Sequence, residues 1–348
     1  MASANGLPQA MRAAQWRSVK GGIDKNLKIA TDAKLPKTAH SLPKGQTLVK
    51  VAYASLNHLD YKVAEMPLGS LLFHKPATPG LDFSGTVVSS TLSNFHAGQR
   101  VFGRTQVPAE GTLAEYVVVG EEGIAALPDG VALRDAACIG ICGITALQCL
   151  MPFVKPGDEV LINGGSGGAG MFAIQVAKAL GCSRVTTTCS ASNVEFCRNL
   201  GADNVIAYDE EDPVQTLKQR GALFDHVLDT VFANPDLYWQ SHHYLKPHGT
   251  FVCIGLPQGF KTFKSLMTIS LLPKWMGGGK RRFKYHSVTA NREHFAQVAS
   301  WIQAKKVQVV IEKEYGLEDA VTAYANLKGG KVRGKLLVHV GDASNGLM

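Results

Sequence analysis

The segment that most constrains the fold of this chain is glycine-rich and occupies residues 160–181, VLINGGSGGAGMFAIQVAKALG. A predicted strand ends at Asn163, and the glycines after it allow a tight turn and a close approach of the backbone to a ligand. The helix predicted next has one apolar face, formed by Ala173, Val176, Ala177 and Leu180. Free N–H groups and the positive end of the helix dipole make such a helix start a pyrophosphate site. The residues predicted to bind the pyrophosphate are Gly165, Ser166, Gly167, Gly168, Ala169 and Gly170.

Short apolar strands and helical segments alternate after Pro156. The predicted strands are EVLINGG, RVTTTCS, NVIAYD, FDHVLDTV and GTFVCIG. This alternation implies right-handed βαβ crossovers and a doubly wound parallel sheet of the Rossmann type. A glycine-rich turn without a ligand is the alternative for the loop, but its place between a strand and a helix favours dinucleotide binding. The fifth strand ends at Ile254 and Gly255, at the sheet edge where the nicotinamide is expected.

The rest of the chain has a different pattern. From Met11 to about Gly120, alternating and β-branched runs separated by Gly, Pro and Asn turns predict a mainly antiparallel, barrel-like β domain. The segment from Arg292 to Val340 is expected to return to this domain, because nothing in it extends the order of the parallel strands. The sequence therefore predicts an α/β protein with a β-barrel domain at residues 1–150 and 290–348 and a Rossmann domain at residues 151–289.

The end of the second parallel strand bears on which dinucleotide is bound. Forms that bind NAD place an Asp or Glu there to accept hydrogen bonds from the ribose hydroxyls, whereas the 2′-phosphate of NADPH requires hydroxyls and cations. This chain has TTTCSASN at residues 186–193, with no carboxylate before Glu195 and no Lys or Arg in the turn. NADPH is the predicted cofactor, with Ser190, Ser192 and Asn193 as the predicted hydrogen-bond donors.

Charge and cysteine content narrow the function classes. The formal net charge of +8 favours an anionic small ligand over nucleic acid or a membrane surface. The basic segment GGGKRRFKYH at residues 277–286 is interpreted in the same way, as a solvated face or the rim of a site for an acidic substrate. Seven cysteines without a CxxC pair indicate reduced thiols in a cytosol-like compartment. No apolar run is long enough to cross a membrane, so the chain is predicted to be cytoplasmic.

Several stretches agree in order and spacing with a known group of proteins. PGLDFSGTVV, the GGSGGAG loop, LGADNVIAYDEED, FDHVLDTV and RGKLLVHV resemble the medium-chain dehydrogenase/reductase superfamily. Within it, the chain is most similar to the zinc-independent quinone oxidoreductase-like and enone or enoyl reductases, including the fungal trans-acting enoyl reductases of polyketide pathways. The resemblance implies a GroES-like β domain, an inserted Rossmann domain, a cleft between the two, and NADPH as the cofactor.

The same resemblance implies roles for residues outside the glycine loop. Tyr208 matches a tyrosine on the adenosine side of the cofactor, and Gly334 and Lys335 match positions that contact the cofactor. Simple surface charge is the alternative for Lys335. Asn193 stands where many quinone reductases have a lysine for the 2′-phosphate, which is a departure from the NADPH pattern.

The zinc ligands of the superfamily are missing. Zinc-dependent members bind the metal through thiolates and an imidazole, the ligands that Zn²⁺ prefers. The matching positions here are Asn57, Leu81 and Ile141, none of which can ligate zinc, and Cys142 beside the last of them lacks partner ligands. His58 is interpreted as an exposed loop histidine rather than as a ligand or a general acid. No metal is expected.

The stretch SLNHLDYKV at residues 55–63 is the predicted catalytic loop. Asn57 and Asp60 match the NxxD signature of the family, which implies that Asn57 faces the nicotinamide or the substrate oxygen. The alternative for Asn57 is an amide that caps the next helix, and Asp60 is expected to be structural. Tyr61 and Lys62 are the predicted proton donors, because an enolate formed by hydride addition must be protonated. A packed aromatic and a surface lysine without a role are the alternatives.

Together these features predict an NADPH-dependent oxidoreductase that transfers hydride, without a metal, to an α,β-unsaturated carbonyl compound or to a quinone. The expected partner is a small-molecule substrate or a carrier-bound acyl chain, and the chain is expected to be a monomer or homodimer. One rival is a trans-acting enoyl reductase that serves a polyketide synthase. The other is a low-turnover dinucleotide-binding protein, of the crystallin-like or RNA-associated kind.

Overall fold

The structure is a computed structural model of the chain, and it describes residues 6–108, 110–221, 223–255, 260–272, 276 and 278–341. The chain divides into two compact units. The first unit comprises Met1–Ile144, Ala290–Ala304 and Val309–Met348, and the second unit comprises Thr145–Thr289 and Lys305–Gln308. Within the described residues, no helix is long and apolar enough to cross a membrane.

The regular elements of the described residues are numbered in chain order. The strands are β1 (Met11–Gln15), β2 (Lys28–Ala33), β3 (Gln46–Ser55), β4 (Asp82–Ser90), β5 (Arg100–Arg104), β6 (Tyr116–Gly120), β7 (Ile124–Ala126), β8 (Glu159–Asn163), β9 (Arg184–Cys189), β10 (Asn204–Ala207), β11 (Phe224–Asp229), β12 (Leu245–Cys253), β13 (Arg282–Tyr285), β14 (Ile311–Gly316) and β15 (Lys335–His339). The α-helices are α1 (His58–Glu65), α2 (Leu133–Ala136), α3 (Ile144–Leu150), α4 (Gly168–Ala179), α5 (Val194–Asn199), α6 (Pro213–Arg220), α7 (Asp236–Trp239), α8 (Phe260–Leu271), α9 (Arg292–Gln303) and α10 (Ala320–Lys328).

The sheet of the first unit is built around β3. This strand pairs antiparallel with β4, β6 and β15, and the order across the sheet is β14-β15-β3-β4-β5-β7. Most residues of β3 are buried, because the sequence QTLVKVAYAS has small or apolar side chains on both faces. A core that includes Trp16, Val49, Phe83 and Tyr324 packs against this sheet. The strands β14 and β15 come from the carboxyl-terminal part of the chain and complete a sheet that the amino-terminal part begins.

The sheet of the second unit is parallel throughout. Its strand order is β10-β9-β8-β11-β12-β13, and each neighbouring pair is parallel. The chain first runs outward from β8 to β10 and then outward on the other side from β11 to β13. This order confirms the predicted doubly wound parallel sheet. In open sheets of this kind ligands bind beyond the carboxyl ends of the strands where the order reverses, which here is between β8 and β11.

Candidate active site

The glycine loop lies at this reversal, between β8 and α4. Gly164 has a backbone φ of +88°, a conformation that an L side chain rarely adopts. A Cβ atom on Gly165 would collide with the side chain of Thr187, and one on Gly170 would collide with the carbonyl oxygen of Gly164. A Cβ atom on Gly167 would meet only that carbonyl oxygen, at an ordinary 3.8 Å. Gly164, Gly165 and Gly170 are therefore required by the fold of the loop, whereas Gly167 leaves space beside the backbone.

The start of α4 has backbone N–H groups that find no acceptor among the described residues. Gly167 is the residue before the helix and provides no side-chain cap, and the first intrahelical bond of this end runs from the Met171 N–H to the Gly167 carbonyl at 2.8 Å. The N–H groups of Gly168, Ala169 and Gly170 belong to the first turn, which has no acceptors within the helix. These groups and the half-exposed Ser166 are the ones that the sequence predicts for a pyrophosphate, and that role stays a prediction.

A polar cluster at the carboxyl ends of β8, β9 and β11 holds the loop in place. Asn163 Nδ2 donates to Asp229 Oδ1 at 2.8 Å, and Thr188 Oγ1 donates to Asn163 Oδ1 at 2.5 Å. The Gly164 N–H in turn donates to Thr188 Oγ1 at 3.0 Å. The sequence reasoning missed this cluster. The sequence does contain a signal for this cluster, because two apolar strands each end in a polar residue, Asn163 in EVLIN and Asp229 in FDHVLD.

The predicted adenosine-side residues come together after β9. Asn193 Nδ2 donates to Ser190 Oγ at 2.9 Å, and the hydroxyl oxygens of Ser190 and Ser192 are 3.1 Å apart. Tyr208 is 57% exposed, and its N–H donates to the carbonyl oxygen of Cys189. A carboxylate also reaches this turn, since Asp209 Oδ1 accepts the Ala191 N–H at 2.7 Å. Asp209 lies in the turn that follows β10, so the absence of an acidic residue from the turn after β9 did not reveal it.

Ile254 and Gly255 lie where the sequence predicts, at the carboxyl end of β12. The Ile254 N–H donates to the Asp229 carbonyl oxygen at 3.0 Å. Gly255 is buried, and a Cβ atom on it would collide with the backbone of Val231. Leu256, the next residue of this predicted strand end, lies outside the described residues.

In the first unit, Asn57 lies between β3 and α1 with its side chain fully engaged. It is 4% exposed. Its Nδ2 donates to Asp82 Oδ2 at 2.9 Å and to the Ser55 carbonyl oxygen at 3.3 Å, and its Oδ1 accepts from Lys335 Nζ at 2.6 Å. Both amide hydrogens are thus directed at protein acceptors, and neither points to a free substrate site. This geometry counts against the expectation that the Asn57 amide holds a substrate carbonyl.

Lys335 is not a surface charge, so that alternative was wrong. The side chain is 2% exposed, and its ammonium group also donates to the Leu56 carbonyl oxygen at 3.0 Å and to Cys142 Sγ at 3.5 Å. Burial by itself lowers the pKa of Lys335, but the attraction of Cys142, Asp82 and their neighbours outweighs burial and raises it. Lys335 therefore stays charged inside the first unit, and all three ammonium hydrogens point to atoms of that unit. Gly334 before it has a φ of +65°.

Asp60 ties the start of α1 to α10. Its Oδ2 accepts the Asn57 backbone N–H at 2.8 Å and the Tyr324 hydroxyl at 3.3 Å. Burial, as the largest cause, and the nearby Asp82 raise the pKa of Asp60 to about 8, against the opposing influence of the Asn57 N–H. Asp60 is therefore mostly protonated at neutral pH and holds the loop through local hydrogen bonds.

Tyr61 packs inside the first unit rather than at an open site. The residue is 7% exposed and belongs to the hydrophobic core of the unit. Lys328 Nζ lies 5.2 Å from the centre of its ring. Burial raises the pKa of Tyr61 to about 12, which makes it a weaker acid than a free tyrosine. Its burial counts against the predicted role of Tyr61 as a proton donor.

Lys62 has the opposite environment one residue later. Its side chain is half-buried, and it makes no hydrogen bond or ion pair with any described residue. Burial lowers the pKa of Lys62. The neighbouring His58 keeps part of its surface exposed, but burial of its ring, and then the charges of Lys62 and Lys335, lower its pKa to about 4. His58 is therefore neutral at physiological pH and does not provide a general acid there.

The described residues contain no metal-binding cluster. Across those residues, no group of three His, Cys, Asp or Glu side chains is arranged to hold an ion. Cys142, beside one of the positions that matches a zinc ligand, is buried and contacts Asn57 Oδ1 at 3.4 Å as well as Lys335. Burial raises the pKa of the Cys142 thiol, which disfavours the thiolate that zinc requires.

The basic segment of the second unit is partly structural. Arg281 donates to the Leu245 and His242 carbonyl oxygens at 2.8 and 3.0 Å, and Lys280 Nζ is 3.1 Å from His242 Nε2. Arg282 is exposed on the edge strand β13. Gly277, which begins the segment, lies outside the described residues.

Comparison with known proteins assigns the family. Residues 43–129 match the model of the alcohol dehydrogenase GroES-like domain, and residues 200–338 match that of the zinc-binding dehydrogenases. The chain is 38% identical to the trans-enoyl reductase pgmF of Aspergillus terreus over 358 aligned residues, which cover 97% of this chain and 99% of that protein. The chain belongs to the medium-chain dehydrogenase/reductase superfamily. This confirms the resemblance seen in the sequence, and with it the GroES-like and Rossmann-type fold class.

Other members of the superfamily are similar over the same length. A chloroplastic quinone-oxidoreductase homologue of Spinacia oleracea is 28% identical, with 94% of this chain and 98% of that protein covered. The solved quinone oxidoreductase of Coxiella burnetii is 32% identical and has a TM-score of 0.80, with 95% of this chain and 99% of that chain covered. Members of this superfamily are oxidoreductases that bind a nicotinamide dinucleotide, and the described site provides a matching glycine loop.

Proposed function

We propose that the protein is an NADPH-dependent reductase that transfers hydride, without a metal, to the β-carbon of an α,β-unsaturated carbonyl compound or to a quinone. The similarity to a trans-enoyl reductase and to a quinone oxidoreductase supports these two acceptor classes. The first unit would provide the substrate-binding and catalytic residues, and the second unit the cofactor site. The bound reduced nicotinamide would supply the hydride.

The environment of Lys62 is the observation that carries the proposal. It is a half-buried lysine on α1, its side chain has no partner among the described residues, and burial lowers its pKa. A lowered pKa brings an ammonium group closer to the operating pH, which is the condition for efficient general acid catalysis. Its positive charge also stabilises the negative charge that develops on the substrate oxygen. Of the two predicted proton donors, Lys62 is therefore kept in the proposal and Tyr61 is not, and Lys62 also takes the carbonyl contact predicted for Asn57.

The cofactor is proposed to lie along the carboxyl edge of the parallel sheet. The N–H groups of Gly168, Ala169 and Gly170 would hold the pyrophosphate. The cluster of Ser190, Ser192 and Asn193, with Tyr208 beside it, would hold the adenosine ribose and its phosphate. Ile254 and Gly255 would border the nicotinamide. Three polar side chains in one turn without an acidic residue of its own support NADPH, and the Asp209 carboxylate at that turn opposes it.

An acyl chain carried by a partner protein is a second candidate substrate. The segment that follows α1 exposes four large apolar side chains, Met66, Leu68, Leu71 and Leu72, with exposed fractions of 52 to 78%. Large exposed apolar patches commonly mark sites of association. Turnover of an enoyl chain attached to an acyl carrier, but not of the free enoyl thioester, would favour this candidate.

The proposal is tested by following the loss of nicotinamide absorbance with a panel of enals, enones, quinones and enoyl thioesters. Lys62→Met should lower kcat by about 10²-fold or more, the usual contribution of a general acid, and Lys62→Arg should restore only part of it. Lys44→Met, which removes an exposed lysine of the first unit, is the matched control and should leave kcat unchanged. A purified protein that binds NADPH but oxidises it with none of these acceptors would refute the enzymatic function.

A further inference from the structure

A buried lysine connects the carboxyl-terminal part of the first unit to the catalytic loop. Lys335 is the first residue of β15, and its Nζ contacts Asn57 Oδ1, the Leu56 carbonyl oxygen and Cys142 Sγ at 2.6, 3.0 and 3.5 Å. These contacts use the three donors of the ammonium group. A charged side chain that is 2% exposed persists only where its hydrogen bonds and its charge are compensated.

Asp82 provides that compensation. It is the first residue of β4, is fully buried, and has its Oδ2 3.7 Å from Lys335 Nζ. The same oxygen accepts hydrogen bonds from Asn57 Nδ2 at 2.9 Å and Ser55 Oγ at 3.0 Å. A side chain on Gly140 would collide with the Asp82 carboxylate, so the glycine allows the close approach. The two ends of the Asn57 amide are thus fixed by opposite charges, an ammonium at the oxygen and a carboxylate at the nitrogen.

The contacts of Lys335 lie at or beside the positions that, by the resemblance seen in the sequence, match the metal ligands of zinc-dependent relatives. Asn57 occupies one of those positions. Asp82 follows the second position, Leu81, and Cys142 follows the third, Ile141. None of the three matching residues, Asn57, Leu81 and Ile141, can ligate zinc, so the donor set does not fit the metal that one matching family description implies. A cation is nevertheless present among these residues, in the form of an ammonium group.

We propose that the ammonium group of Lys335 takes the place of the metal as the fixed cation of this site, and that Lys335 is a positioning residue which orders the catalytic loop through Asn57. The inference rests on the proposed function, because the segment that it orders includes Lys62. The Asn57 backbone N–H is bonded to Asp60 in the first turn of α1, and Lys62 lies two residues further along the same helix. Asn57 therefore transmits the position of Lys335 to the start of this helix.

A double-mutant cycle tests whether Lys335 acts through Asn57. Lys335→Met and Asn57→Ala should each lower kcat by about tenfold to a hundredfold, the penalty expected for a displaced catalytic group. The double variant should lose no more than the worse single variant, because both changes remove one connection. The dissociation constant of NADPH, measured by fluorescence, should change less than threefold. Lys331→Met, which removes an exposed lysine from the same segment, is the matched control and should match the wild type.

A second readout is independent of turnover. Lys62 and Lys335 are the two charged groups whose field lowers the pKa of His58. Loss of the Lys335 charge should raise the His58 pKa by about half a unit or more, as measured by NMR titration of the His58 ring. Asn57→Ala retains the charge and should leave the His58 pKa within about 0.2 unit of the wild type if the ammonium group stays in place.

The outcomes separate this inference from the proposed function. A rise of tenfold or more in the NADPH dissociation constant of Lys335→Met with unchanged kcat would show that Lys335 contacts the cofactor, and would overturn the inference. Additive losses in the double variant would do the same. If Lys335→Met does not fold, unchanged kcat in Asn57→Ala would overturn it. If the wild type has no turnover, the proposed function fails, and an unchanged His58 pKa in Lys335→Met then refutes the fixed cation separately.

Discussion

We expect the first unit to unfold more easily after replacement of Asp82 by asparagine than after any single substitution on its surface. The variant keeps the size of the side chain but leaves the charge of Lys335 uncompensated. With the two groups 3.7 Å apart, their Coulomb energy is about 4.5 kcal/mol at an effective dielectric constant of about 20. Removing one partner of a buried ion pair typically destabilises a protein by about 3–5 kcal/mol. We therefore expect Asp82→Asn to lower the free energy of unfolding by about 3–5 kcal/mol.

The measurement is urea unfolding followed by tryptophan fluorescence, since Trp16 lies in the core of the first unit and is 2% exposed. The double variant Asp82→Leu/Lys335→Met should be more stable than Asp82→Asn, because it removes both charges and fills the site with apolar atoms. Asp129→Asn is the matched control. It breaks an exposed contact with Arg100 at 3.9 Å and should leave the urea midpoint unchanged. A loss below about 1 kcal/mol in Asp82→Asn would show that Lys335 is not a buried charge paired with Asp82.

Three further outcomes are expected. Gly170→Ala should lower the thermal midpoint, because the new Cβ atom would collide with a backbone carbonyl oxygen. Gly167→Ala should keep the midpoint but raise the NADPH dissociation constant. Equal midpoints for the two variants would contradict this account of the loop. Asp60 keeps its proton in the folded state up to a pKa of about 8, while the unfolded chain loses it near pH 4, so wild-type stability should fall from pH 5 to pH 8 relative to Asp60→Asn. Parallel curves in urea titrations would refute that assignment. Asp209→Asn should raise the preference for NADPH over NADH about fivefold, by removing a negative charge from the Ala191 turn, and an unchanged ratio of kcat/KM values would place the 2′-phosphate elsewhere.

The glycine loop and the parallel sheet could be predicted because their determinants are local. A strand, five closely spaced glycines and an apolar helical face follow one another within residues 160–181, and each has its meaning within a few residues. The prediction that named Ser190, Ser192 and Asn193 also used only residues that are close together in the sequence. Even here, the Asp209 carboxylate was not predicted, because it lies in the turn after β10 and reaches the Ala191 turn only in the folded chain.

The segment at residues 55–63 could be singled out as a candidate from the sequence, but the environments of its side chains could not be predicted. Tyr61 and Lys62 are neighbours, and in a helix adjacent residues point about 100° apart. The sequence did not show which face turns to the core, and the structure buries Tyr61 while leaving Lys62 half-buried. The partner of Asn57 is Lys335, 278 residues further along the chain. No local pattern predicts a contact over that separation.

The position of Lys335 at the head of β15 has a consequence for synthesis. A ribosome makes the catalytic loop early, and domains generally begin to fold in the order in which they emerge. The loop nevertheless meets its ammonium group only after Lys335–His339 has emerged and paired with β3. Until then, Asn57 and Asp82 have no cation between them. The nascent first unit is therefore expected to remain incompletely ordered while the whole of the second unit is being translated, a period in which a chaperone would find its unfinished sheet.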